Sequence, residues 1–115
     1  MNNENKERPA VLELRAELDK KFAQDIVIIE LGSLSPIADY FVIATGSSVP
    51  QLAALTQAAE EYLLKQGFIL KHSEGLQSGK WVLLDFGSIV VHLFDKESRE
   101  YYNLERIWGD AKVIS

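Results

Sequence analysis

Gly79-Lys80-Trp81-Val82-Leu83-Leu84-Asp85-Phe86-Gly87-Ser88-Ile89-Val90-Val91-His92-Leu93-Phe94 sets two six-residue apolar runs on either side of a Gly-Ser pair. Runs of that composition joined by two turn residues predict a tight β-hairpin. Arg99-Glu100-Tyr101-Tyr102-Asn103-Leu104-Glu105-Arg106-Ile107-Trp108 follows at once and reads as a short aromatic-rich helix, over about 96–108. Each run carries one polar interruption, Asp85 or His92, and the hairpin opens on Lys80-Trp81. The pattern describes a buried sheet with something to present, not a catalytic loop.

Upstream, Val11, Leu14, Leu18 and Phe22 recur at three- and four-residue spacing. They form one stripe on a helix of about 10–24, with Pro9 suited to its first turn. Asp25 to Leu31 is β-branched and stopped by Gly32, and Tyr40 to Thr45 is a second apolar run stopped by Gly46-Ser47-Ser48, so both predict strands. A helix follows from about Val49 to Gln66, with Ser48 as N-cap, Pro50 in the first turn and Gly67 to end it in the left-handed region. Phe68 to Glu74 is less apolar and predicts an edge strand. The expected order is α-β-β-α-β-β-β-α. It describes an α/β (α+β mixed) domain whose mixed sheet of about five strands is flanked by helices, with a parallel or crossover element around the 49–66 helix.

A chain of 115 residues is one domain with room for a core. Residues 1–9 read as a polar N-terminal extension and 10–115 as the single domain. With no cysteine, disulfides, thiol nucleophiles and Cys-based zinc sites are excluded. The N-terminus has no apolar h-region and contains acids, and no apolar stretch reaches the roughly 20 residues that span a bilayer. A cytoplasmic protein with no membrane partner is expected. The net charge of −5 resides entirely between Asp25 and Leu64, where Asp25, Glu30, Asp39, Glu60 and Glu61 have no Lys or Arg among them. Direct binding to a phosphate backbone calls for clustered bases, so no nucleic-acid site is expected. The acids either meet a basic partner or serve solubility.

Few residues suggest chemistry. The Gly46-Ser47-Ser48 turn could place helix N–H groups on a phosphate, but its glycines fit neither a P-loop nor a dinucleotide fingerprint, and no Lys adjoins it. His72 and His92 lack companions at ligand spacing, and His92 reads as a buried, hydrogen-bonded structural histidine. No metal, cofactor or catalytic residue is expected. Alternation puts Trp81, Leu83 and Asp85 on one face of their strand and Val82, Leu84 and Phe86 on the other. Trp81 is either a recognition anchor or ordinary core, and Asp85 either pairs internally or faces a binding surface. Glu97, Glu100 and Glu105 read as solvated, and Tyr102 as able to stack on Arg106.

The succession Ser35-Pro36-Ile37-Ala38-Asp39-Tyr40-Phe41, Gly46-Ser47-Ser48, Glu74-Gly75, Gly79-Lys80-Trp81 through Gly87, Val90-Val91-His92-Leu93-Phe94 and Arg99 through Ala111 resembles the ribosomal silencing factor, or Iojap-like, family. The resemblance runs from about Ala10 to Ala111. It implies a nucleotidyltransferase-like topology without that activity. It also implies binding to the large ribosomal subunit through large-subunit ribosomal protein fourteen, steric blocking of subunit joining, lowered translation when nutrients are scarce, and self-association as a homodimer when free. On that resemblance Trp81 matches the family tryptophan implicated in the ribosomal-protein contact. Glu74, Lys80, Leu83, Leu84 and Asp85 extend the site, and Asp39 and Tyr40 are added to it. The alternative is a divergent nucleotidyltransferase-fold protein that binds nucleotide at the Gly46-Ser47-Ser48 turn.

Overall fold

A computed structural model describes residues 4–115, with side chains from Lys6 onward. Met1-Asn2-Asn3 of the expected extension lies outside the described residues. Helix α1 spans Glu4–Lys20, starting six residues before the expected start at about residue 10. Pro9 therefore lies inside it rather than in its first turn, at the cost of one hydrogen bond among the opening turns. Ala10, Val11, Leu14 and Leu18 are its buried stripe. Phe22 does not extend that stripe. The helix has already ended, Phe22 takes φ +68°, its side chain is 80% exposed, and Ala23 fills the buried place instead.

Strands β1 (Gln24–Glu30) and β2 (Tyr40–Thr45) pair antiparallel, with an irregularity between Gln24 and Val27, and are joined through a 3-10 turn at Gly32–Leu34. Helix α2 covers Val49–Lys65. The Ser48 hydroxyl accepts from the Gln51 N–H as its N-cap, and Gly67, at φ +90°, stops it. Strands β3 (His72–Glu74), β4 (Trp81–Asp85) and β5 (Ile89–Phe94) follow. The β4–β5 hairpin turns on Gly87 and Ser88, with Gly87 at φ +89° and Phe86 N–H donating to the Ile89 carbonyl at 2.9 Å. A glycine at positive φ in the first central position is what this turn demands.

The expected terminal helix is two pieces, α3 (Lys96–Tyr102) and α4 (Leu104–Ile107), broken at Asn103 in the left-handed region. A sixth strand, β6 (Lys112–Val113), pairs with β1. The sheet order is β3-β4-β5-β2-β1-β6, so the 68–74 segment does form the outer strand, shortened to its last three residues. The parallel contact lies between β2 and β5, running from Tyr40↔Ile89 to Thr45↔Phe94, and every other pairing is antiparallel. Helix α2 thus carries the chain from β2 past two strand positions to β3.

Side-chain alternation divides the molecule into two apolar layers. Helices α1 and α2 close one face over Ile28, Val42, Ala44, Val82, Leu84, Ile89, Val91 and Leu93. The other face is Ile29, Ile43, Val90 and Phe94, covered in part by Leu104, Trp108 and Ala111 from the C-terminal segment. That second cover is short, and it leaves Phe41, Trp81 and Leu83 only partly buried.

Candidate functional site

The strip of sheet that the C-terminal segment leaves uncovered is built around β4. Trp81, Leu83 and Asp85 are half-buried and alternate with fully packed Val82 and Leu84, as their spacing predicts. Cross-strand register adds Glu74 opposite Leu83 and His72 opposite Asp85 on β3, and Phe94, His92 and Val90 opposite Trp81, Leu83 and Asp85 on β5. Glu74 and His72 are exposed and pair at 2.6 Å along the outer edge. Lys80 is exposed just ahead of Trp81.

Trp81 sits in a cluster of aromatic rings. Its indole lies 5.0 Å from Phe94 and 4.5 Å from Tyr102, centroid to centroid. Its Nε1–H donates to His92 Nδ1 at 3.2 Å. That bond makes Nδ1 the acceptor and leaves the imidazole proton on Nε2. His92 is 4% exposed, and burial pushes its pKa down to about 4, so it is neutral at physiological pH. Phe41 meets the imidazole edge-on at 4.5 Å and Trp108 at 5.8 Å, extending the cluster to α4. Tyr102 therefore packs at a tilt against Trp81 and not on Arg106, because the break at Asn103 takes Arg106 out of helical spacing. Asp85 is partnered internally. Its Oδ1 accepts from the Gly87 N–H at 2.7 Å, pinning the hairpin turn.

Gly75 fixes the approach to Trp81. It has φ +80°, and a Cβ there would stand 1.8 Å from the Trp81 carbonyl oxygen. Only glycine lets the β3–β4 connection cross so close to the start of β4.

Three of the expected site residues do not join this face. Leu84 is fully buried beneath the helices, because it has the opposite parity to Trp81, and it has no surface for a partner. Tyr40 points to the helical face, is 6% exposed, and donates its hydroxyl to Glu30 at 3.2 Å. Asp39 is exposed, but its backbone N–H binds the Ser88 carbonyl at the hairpin-turn end of the sheet. The register Tyr40↔Ile89 against Trp81↔Phe94 sets Tyr40 five positions and Asp39 six positions away from Trp81, about 17–20 Å along the strands. Glu74, Lys80, Trp81, Leu83 and Asp85 are brought together.

Phe41, His92 and Tyr102 belong to the face and were not singled out for it. The signal available was the histidine inside an apolar run. Glu105 also differs from expectation. It is not freely solvated, but accepts from Arg99 Nε at 3.1 Å and Nη2 at 2.7 Å, while Arg99 Nη1 donates to Thr45 Oγ1 at 2.9 Å. Burial works against its charge, yet the Arg99 bonds prevail and hold its carboxyl below the ordinary range.

The Gly46-Ser47-Ser48 turn is already occupied by the chain itself. Gln51 Oε1 accepts from the Ser47 N–H and hydroxyl, and its Nε2 donates to the Lys21 and Phe22 carbonyls at 3.1 and 2.9 Å. The Ser47 donors that could meet a phosphate are taken by this carboxamide, and the Gln51 N–H by the Ser48 hydroxyl. Among the described residues, no group of three or more His, Asp or Glu could hold a metal ion, and no helix is long and apolar enough to cross a membrane.

The sequence pattern of the family described as "Ribosomal silencing factor during starvation" matches residues 4–115, a longer span than the motifs alone suggest. The ribosomal silencing factor RsfS of Bacillus subtilis is 42% identical over 98 residues, which are 85% of this chain and 83% of that protein. The mouse protein named "Mitochondrial assembly of ribosomal large subunit protein 1" is 37% identical over 79% of this chain and 41% of its own length. A crystal structure of a Chromobacterium violaceum protein superposes with a TM-score of 0.81 at 31% identity, covering 95% of this chain and 88% of that one.

Proposed function

The chain belongs to the ribosomal silencing factor family, and from that membership we propose that it is a non-enzymatic translational repressor acting in the cytoplasm. It binds the large ribosomal subunit on large-subunit ribosomal protein fourteen and obstructs subunit joining when nutrients are scarce. The contact is made by Trp81, Leu83, Lys80, Glu74 and Asp85. When free, two copies associate through the same sheet region.

The observation that carries this reading is Trp81. It is a half-buried indole on a sheet face that the C-terminal segment covers only in part, with Lys80, Asp85 and Glu74 close by in register. Partly exposed tryptophans bordered by charged groups are the residues that dominate protein interfaces. The net charge of −5 suits a basic ribosomal protein and does not suit bare RNA. Occlusion needs no reacting group, which agrees with the plugged Gly46-Ser47-Ser48 turn.

Cosedimentation tests the proposal. Purified protein is expected to travel with free large subunits and not with small ones. Trp81→Ala is expected to abolish that while keeping the native circular dichroism spectrum. Retained binding by the folded variant would place the contact elsewhere.

A further inference from the structure

We propose that His92 is the positioning residue for Trp81, holding the indole in one orientation so that the partner meets a prearranged ring. This rests on the ribosome-binding reading above.

Trp81 opens its strand beside a partly uncovered face, where an indole not held by a polar contact has more than one rotamer available and would lose that freedom on binding. The bond from Nε1–H to His92 Nδ1 removes the freedom beforehand. It uses the only polar atom the indole has, so Trp81 offers a partner ring surface and no hydrogen bond. A ring face receives aliphatic chains and the cationic heads of Arg or Lys, the side chains a basic ribosomal protein has in excess.

His92 does this at a cost. Its Nε2 is buried with no hydrogen-bond partner among the described residues, a penalty that a leucine of similar bulk would avoid. A core position selected for packing alone would not carry that orphan. The acceptor at Nδ1 is what the histidine supplies in return.

His92→Leu and His92→Asn separate the two roles, since only the amide places an acceptor near the Nδ1 position. In the ¹⁵N spectrum of the free protein, Trp81→Phe identifies which of the two indole signals belongs to Trp81. That signal is expected to exchange slowly with water in the parent and in His92→Asn, and rapidly in His92→Leu. Affinity for large subunits is expected to fall about tenfold in His92→Leu and to recover to within about threefold in His92→Asn. The melting temperature of His92→Leu is expected to equal or exceed the parent's. An unchanged Trp81 signal and unchanged affinity in His92→Leu would overturn the inference, as would equal loss in both variants. Failure of the unsubstituted protein to bind subunits would instead overturn the functional reading, and with it the binding half of this inference, before any substitution is made.

Discussion

At the scale of single residues, His92 links the Trp81 face to pH. Its imidazole titrates at about 4 in the folded protein against 6.5 in an unfolded chain, because burial disfavours the charged form. The groups packed on it, Phe41, Trp81 and Phe94, bring no charge. The same face holds the His72–Glu74 pair on β3 and Asp85 on β4. Between pH 6.5 and 4 the unfolded chain binds a proton that the native protein refuses. Stability is therefore intact at neutral pH and declines as pH falls through that window. The His92 contribution amounts to about 2 kcal/mol lost at pH 5 and about 3 kcal/mol at pH 4. Urea denaturation at pH 7 and 5 is expected to show this loss in the parent and a much flatter profile in His92→Leu. Glu105 adds to the acid sensitivity lower down. Its folded-state pKa is depressed, so the stability it provides is lost as pH falls through that value.

At the scale of elements, the β3–β4 connection depends on one atom being absent. Gly75→Ala would force a methyl group onto the Trp81 carbonyl and hold an alanine at φ +80°. The expected result is a loss of more than about 2 kcal/mol in thermal or urea unfolding, together with loss of the Trp81–His92 indole signal as β4 is pushed aside. Elements with local signals were legible in the sequence. β2 was read to the residue, the Gly87-Ser88 turn declared its hairpin, and Ser48 and Gly67 bracketed α2. Elements made by tertiary contact were not. β6 is only two residues, Lys112 and Val113, too short for a period-2 pattern to show, and is made a strand by Ile29 and Glu30 lying alongside. The break at Asn103 left no trace in apolar spacing that runs straight through it. The site was legible to the same extent. Alternation grouped Trp81, Leu83 and Asp85 correctly. The parity of Leu84 already set it on the other face, but which face the helices cover depends on packing. The distance from Trp81 to Asp39 depends on the β2–β5 register, which no local pattern encodes.

At the scale of the whole molecule, Arg99 fastens the C-terminal layer to the sheet. Its guanidinium, 9% exposed, joins Thr45 on β2 to Glu105 on α4. Removing it strands two polar groups. Glu105 keeps about a third of its side chain in water, so the cost of Arg99→Leu falls at the lower end for a broken buried pair, about 2–3 kcal/mol in urea unfolding. Large-subunit binding is expected to weaken as well, since Tyr102 and Trp108 lose their seat against Trp81 and Phe41. The parallel pairing of β2 with β5 has a temporal consequence. Helix α1, β1, β2 and α2 emerge early in synthesis, but one side of β2 stays open until residues 89–94 have been made. The Trp81 face is finished later still, once Arg99, Glu105 and Trp108 have left the exit tunnel. A partly synthesised copy thus carries its apolar sheet without the layer that orders the Trp81 face.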